Sequence, residues 1–120
     1  MRTMPRILSV CRDGGILRSR NAVLEHAGPR VVPAVGLSEA LAGLDRESFD
    51  LIIVGHLYST AEKNLIANKA HAAGLKVLCM HSETWPPEVM ADAFIHNLEL
   101  PEQLLSLVAF LTRKHAAGMP

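Results

Sequence analysis

A doubly wound α/β fold, with helices on both faces of a parallel sheet, is the architecture this sequence predicts. Short apolar runs alternate with segments of helical character along all 120 residues, the order expected of strand–helix units joined by right-handed crossovers. Hydrophobic residues make up 49% while aromatics make up only 4%, so the core is built from Leu, Val, Ile and Ala, as strands buried on both faces require. The most hydrophobic run, DLIIV at Asp50–Val54, is too short for a helix and reads as the central strand.

The remaining elements follow in order. Arg6–Val10 (RILSV) reads as a buried strand ended by Asp13-Gly14-Gly15, and Leu17 to Ala27 as a helix stopped by Gly28-Pro29. Arg30–Val35 (RVVPAV) is a second strand, placed at a sheet edge by Pro33, whose missing N–H costs least there. Ser38 reads as the N-cap of a short helix to about Glu47, with Leu37, Leu41 and Leu44 on one face. Ser59-Thr60-Ala61-Glu62 matches a capping box opening a helix through Ala73, closed by Gly74. Leu75–Met80 and Ala91–Ile95 are the fourth and fifth strands, with a weak helix between them at most. Pro101 opens the last helix, whose buried stripe is Leu104, Leu107, Val108 and Leu111. One domain over residues 1–120 is expected, with its core at about 5–113 and a polar tail at 114–120.

Composition narrows the function classes. Twelve Lys/Arg balance twelve Asp/Glu, whereas a binder dominated by phosphate contacts is basic, so a nucleic-acid partner is not expected. No apolar stretch reaches the ~18 residues of a membrane span, and MRTMPRILSV has charges inside its apolar stretch and lacks a signal-peptide cleavage site. Cys11 and Cys79 are too few for a disulfide framework, and a reduced, cytoplasmic protein is expected. Charge is unevenly spread. Residues 1–30 carry six arginines against Asp13 and Glu25, a net of +4, and residues 31–60 carry Arg46 against four acids, a net of −3. Ordinary solvated helix faces or a basic patch for an acidic partner would each account for this.

In open parallel sheets, ligands sit beyond the carboxyl ends of the strands, which directs attention to Cys11, Arg12, Asp13, Gly55, His56, His81, His96 and Asn97. The Gly14-Gly15 pair lacks both the G-x-G-x-x-G pattern and the Walker ending, so a nucleotide site is not indicated. Cys11, Asp13, His56 and His81 are of zinc-ligand type, and Cys11 with His81 would make a nucleophile pair. Neither set has a local spacing motif. His26, His71 and His115 read as solvated.

The layout resembles the receiver domain of two-component response regulators over nearly the whole chain. The RILSV strand, VLEHAG, Leu37-Ser38-Glu39-Ala40-Leu41, Phe49–Val54, and Ala91–Ile95 running on to Leu100-Pro101-Glu102-Gln103-Leu104-Leu105 carry the likeness. The resemblance implies a flavodoxin-like sheet in the order 2-1-3-4-5, with a shortened or missing fourth helix, since Ser82–Met90 (SETWPPEVM) has nine residues and contains Pro86-Pro87. It also implies that the chemistry of the family has been lost. Cys11 and Arg12 stand where two acids help bind Mg²⁺, leaving Asp13. Gly55 stands where the phosphoacceptor Asp follows the third strand, and Ser59 where a Pro usually lies. His81 replaces the Ser/Thr after the fourth strand, and Asn97-Leu98 replaces the Lys-Pro after the fifth. Asp50 cannot substitute, because at ~3.3 Å per residue it lies roughly 15 Å away at the other end of its strand.

The expectation is a non-catalytic, non-phosphorylatable signalling module that uses no cofactor or metal. It would act through contacts with a protein partner or with a second copy of itself. In the family the surface around the fourth and last helices is the usual partner face. Trp85 and Phe94 are the contact candidates, Phe94 standing at the aromatic switch position. The alternative is a small enzyme or a metal- or ligand-binding protein using the Cys/His/Asp pocket.

Overall fold

Strands buried on both faces need a helix layer on each side, and the chain supplies the two layers in alternation. The computed structural model describes residues 4–82, 88–99 and 101–113. The elements run β1 (Arg6–Cys11), α1 (Gly14–His26), β2 (Arg30–Val35), α2 (Gly36–Arg46), β3 (Leu51–Val54), α3 (Thr60–Ala72), β4 (Lys76–His81), β5 (Ala93–His96) and α4 (Pro101–Thr112). All five strands are parallel, in the order β2-β1-β3-β4-β5. The doubly wound sheet expected from the sequence is therefore present, and Pro33 sits on its β2 edge.

Side-chain alternation splits the core into two halves. Leu8, Val10, Ile52, Val54, Val77 and Cys79 face α2 and α3, packing on Ala40, Leu44, Ile66 and Ala70. Ile7, Leu51, Ile53 and Leu78 face the other way, onto Leu24 of α1 and Leu104, Val108 and Leu111 of α4. Each such aliphatic side chain contributes about 1.5–3 kcal/mol by leaving water. Cys11 and Cys79 are both buried, and neither forms a disulfide. They lie two strands apart, and alternation puts them on opposite faces of the sheet.

Local chemistry explains where elements begin, including where they depart from the sequence expectation. Helix α1 starts at Gly14 rather than Leu17, because the Asp13 carboxylate caps it by accepting from Ile16 N at 2.9 Å. Ser38 is not an N-cap. Helix α2 starts three residues earlier, directly after Val35 and without a side-chain cap on its own amides, through the turn that Gly36 makes at φ +86°. Glu39 reaches back instead, accepting from Val35 N at 2.8 Å. The capping box at α3 is present as read, with Ser59 and Glu62 exchanging bonds. Strand β5 begins at Ala93, not Ala91, because Asp92 turns its carboxylate onto Val77 N at 2.6 Å and the His71 ring at 3.0 Å. His71 is thus held by Asp92 and is not simply solvated. Asp50 plays a similar part at the amino end of the sheet, accepting from Arg6 N at 2.8 Å.

Leu107 of the expected α4 stripe is only partly buried. Residues 88–92 are not helical. Trp85 and the Pro86-Pro87 pair lie outside the described residues, as do His115 and the tail. No helix among the described residues is long and apolar enough to cross a membrane. Part of the uneven charge is paired within the fold. Arg6 pairs with Glu47, Arg30 approaches the same carboxylate at 3.8 Å, and Arg12 pairs with Glu62.

Burial opposes ionisation of Asp92, but the bonds from His71 and Val77 outweigh it and hold the carboxyl below its ordinary range. Its contribution is therefore present above the unfolded pKa of about 3.9 and is lost as pH falls through the lower folded value. Asp92→Ala, which leaves the buried Val77 N–H unpaired, is predicted to lower the unfolding free energy by about 1–3 kcal/mol near neutrality. Urea unfolding at a series of pH values should show the gap to the wild type closing under acid conditions.

Candidate functional site

The carboxyl ends of β1 and β3 meet at Gly55. Val10 lies opposite Val54 in the register, and the next amide, Gly55 N, donates to Val10 O at 2.8 Å. A Cβ built on Gly55 would lie 3.0 Å from Val10 O, 3.3 Å from Cys11 Sγ and 3.4 Å from Cys11 Cα. Two of the three neighbours are backbone atoms, which cannot swing aside as a flexible side chain would. The position lacks a side chain, and one starting there would press tightly against the surrounding chain.

The residues beyond it are engaged with one another. Arg12 pairs with Glu62 of α3, and its guanidinium lies 5.1 Å from the centre of the Tyr58 ring. The Ser59 backbone N–H, and then Arg12, hold the Glu62 carboxyl below the usual range. Tyr58 is buried, and its hydroxyl nears the Gly36 backbone without forming a well-aligned hydrogen bond among the described residues. Burial, with the Cys11 thiol adding to it, pushes its pKa up to about 12, and the Gly36 backbone and then Arg12 offset this only in part. Asp13 is committed to capping α1.

Of the sequence-selected residues, Cys11, Arg12 and Gly55 come together, while His81 does not join them. Cys11 shares the sheet face of Ser9, whereas His81 follows Cys79 and faces α3. His81 is buried, with its ring edge-on to Phe94 at 6.3 Å and to His96 at 5.4 Å. Phe94 is half-buried against the α2/α3 half of the core. His96 accepts from Leu98 N at Nδ1, which leaves Nε2 as the donor to Ser82 O at 3.2 Å. His56 is half-buried just after β3. Asn97 donates its backbone N–H to His81 O, and its Oδ1 is buried without a partner. Among the described residues, no three His, Cys, Asp or Glu side chains converge in a metal-binding arrangement.

Sequence reasoning missed two cations. Arg20 of α1 and Lys63 of α3 are 7% and 2% exposed. Lys63 Nζ donates to Met80 O at 2.8 Å, and Arg20 holds Ser9 Oγ and Val10 O. Helical spacing held the signal. Arg20 lies between Leu17 and Leu24, and Lys63 is three residues before Ile66, so both share the buried faces of their helices.

Neither a family model nor a curated protein matches the sequence; solved structures do. The chain is similar to the chemotaxis response regulator CheY4 of Vibrio cholerae, with TM-score 0.76 and 23% identity over 91% of this chain and 99% of that one. The fold is that of a response-regulator receiver domain. A CheY-like receiver domain protein from Methanospirillum hungatei JF-1 aligns at TM-score 0.74 and 24% identity, covering 90% of this chain and 93% of that one. The N-terminal domain of a response regulator/sensory box/GGDEF protein from Carboxydothermus hydrogenoformans reaches TM-score 0.80 at 18% identity, covering 96% and 99%. In this receiver fold Gly55 follows the third strand and Arg12 follows the first, at the carboxyl end of the sheet. Asp50 is at the amino end, as its bond to Arg6 N requires.

Tyr58 is the only tyrosine in the chain, so phenolate absorbance in the ultraviolet titrates this site alone. The midpoint is predicted near 12, against the ~10 of a free tyrosine. Stability from keeping this phenol neutral is full below the free-tyrosine value and fades as pH rises through the folded one. A midpoint at the free-tyrosine value, recorded while circular dichroism stays native, would contradict the burial of Tyr58.

Proposed function

We propose that this chain is a receiver-fold signalling module of two-component type that is not phosphorylated and acts through protein contacts. The observation that carries the reading is the glycine at position 55, set tightly against the end of β1. Phosphoryl transfer to a receiver needs a carboxylate nucleophile, and a glycine with backbone atoms against its missing Cβ has none to offer. A Mg²⁺ ion needs several hard oxygen ligands. The groups at hand are a thiol at Cys11, a guanidinium at Arg12, and carboxylates already used by the α1 cap and by the pair with Arg12.

The same arrangement removes the means of relaying a phosphorylation signal. His81 fills the space beside Phe94 that the smaller Ser/Thr of the family would leave open, so a rotamer change of the aromatic has no room created for it. Asn97 stands where the family's Lys would reach the phosphoryl group. The degenerate pocket is therefore a fixed structural part, and the module works in one conformation without a cofactor and without catalysis.

Output then depends on surfaces. Phe110 of α4 is 65% exposed, and Leu98 and Met90, which flank β5, are 80% and 69% exposed. These apolar groups, with Trp85 beyond the described residues, supply contacts for a cytoplasmic protein partner or for a second copy of the chain. Neither a membrane nor a nucleic acid is needed.

Intact-mass measurement after incubation with acetyl phosphate and Mg²⁺ tests the reading. The wild type should gain no phosphoryl group, and its melting temperature should not rise in millimolar Mg²⁺. A Mg²⁺-dependent gain of one phosphoryl group would overturn it. For the output, Trp85→Ala and Phe110→Ser are predicted to weaken partner capture or self-association while leaving the melting temperature within a few degrees.

A further inference from the structure

The two edges of the sheet, β2 and β5, are finished differently. In β2 the Arg30 N–H points inward, to Pro5 O, so alternation turns the N–H positions of residues 31, 33 and 35 outward. Pro33 has no N–H to offer, and the Val35 N–H is taken by Glu39 at 2.8 Å. That edge is blunted against pairing with another strand. Just past β5 the Asn97 N–H points inward, to His81 O, so the N–H groups of Phe94 and His96 point outward. A trans peptide sets each carbonyl opposite the next N–H, which turns the carbonyls of Asp92 and Phe94 outward as well. Among the described residues no strand lies beyond them.

The sequence along this edge is self-complementary about Phe94. Laid antiparallel on its own copy with Phe94 at the two-fold axis, it sets Met90 against Leu98, Asp92 against His96, and Phe94 against Phe94. Met90 and Leu98 are 69% and 80% exposed. Apolar, aromatic and acid–base pairs of this kind support an antiparallel pairing, whereas like charges placed opposite each other weaken it. A shift of two residues sets the Asp92 carboxylate against Phe94 or Leu98 and loses every match. A shift of one sets inward-pointing backbone groups against outward-pointing ones. The Met90 end is already fixed in place, because Asn64 of α3 donates to Glu88 O at 2.9 Å and accepts from Met90 N at 3.1 Å, which lowers the ordering cost of a contact there.

We propose that the β5 edge binds a second copy of this chain, the two fifth strands pairing antiparallel about Phe94 so that both sheets run on as one. The two Phe94 residues exchange N–H···O bonds, and each His96 N–H donates to the Asp92 carbonyl of the other copy, the pattern of an antiparallel ladder. Both copies use the same patch, so the contact closes at a dimer. It is a narrow contact, of the size that forms and dissociates readily. The proposal rests on the reading that the module acts through contacts, and it names the partner and the pairing.

Sedimentation velocity of the full chain over a concentration series is the test. A monomer–dimer equilibrium is expected with a Kd of about 100 μM or tighter. Leu98→Asp should weaken it at least about tenfold while melting near the wild type, since the side chain is exposed. Val35→Asp, at an exposed position on the β2 edge, should leave it unchanged. The register is read with a short bis-maleimide on Met90→Cys and Leu98→Cys, the native Cys11 and Cys79 being buried. A mixture of the two variants should cross-link, and neither should cross-link alone, because like positions lie roughly 26 Å apart at ~3.3 Å per residue. Monomer alone up to about 1 mM, a dimer broken by Val35→Asp but not by Leu98→Asp, or cross-linking of one variant as efficient as that of the mixture would each overturn the proposal. A monomer that still gains no phosphoryl group would overturn the pairing alone and leave the unphosphorylated module to act on a different protein.

Discussion

The carboxyl end of this sheet depends on how closely β1 and β3 approach at Gly55. A parallel pair places successive residues of the two strands side by side, and the hydrogen bond from Gly55 N to Val10 O carries that pairing one residue beyond Val54. A Cβ at Gly55 would crowd the Val10 carbonyl at 3.0 Å and the Cys11 backbone at 3.4 Å, so these atoms would have to give by a few tenths of an ångström to admit a side chain. The carboxylate is absent there because the residue is glycine, and the tight backbone adds to the cost of restoring a side chain. With no anion to hold beside β1, Arg12 turns to Glu62 on α3 and covers Tyr58.

This rearrangement redistributes charge without leaving acids crowded together. Receivers of the resembling family gather carboxylates at this end of the sheet, where mutual repulsion is relieved by a cation. Here the acids are engaged in local structure instead. Asp13 caps a helix, Glu62 closes a capping box and pairs with Arg12, and Asp50 and Asp92 secure backbone amides at the start of β1 and in β4. The buried cations, Arg20 and Lys63, find carbonyl, hydroxyl and thioether partners. The surplus of buried positive charge, not of negative charge, sets this site apart from the pattern that the likeness to receivers implies.

Much of the fold was legible because it rests on local signals. Short aliphatic runs between Gly, Pro and Asp turns marked the strands, Pro33 marked the edge, and the Ser59–Glu62 spacing marked α3. Ser38 misled because the turn into α2 is made by the left-handed Gly36, with Glu39 closing it from inside the helix. Asp92 misled because a residue in a strand-like run serves as a cap for the neighbouring strand. The site was legible only in part. Arg12 and Glu62 are 50 residues apart, so no spacing rule links them. Arg20 and Lys63 were hidden by the rule that long charged side chains face water. Gly55 could be placed from the strand order, but its close contacts depend on strand register, which the composition of either strand does not specify.

Equilibrium unfolding of Gly55→Ala against the wild type measures the central constraint most directly. The backbone at Gly55 is not left-handed, so on chain entropy alone the substitution would stabilise by about 0.4–1 kcal/mol. If the strands are closed as described, the added methyl instead forces Val10 and Cys11 apart and destabilises by about 1–3 kcal/mol. A variant as stable as the wild type, or more stable, would contradict the account, because it would show an open seat at the end of β3.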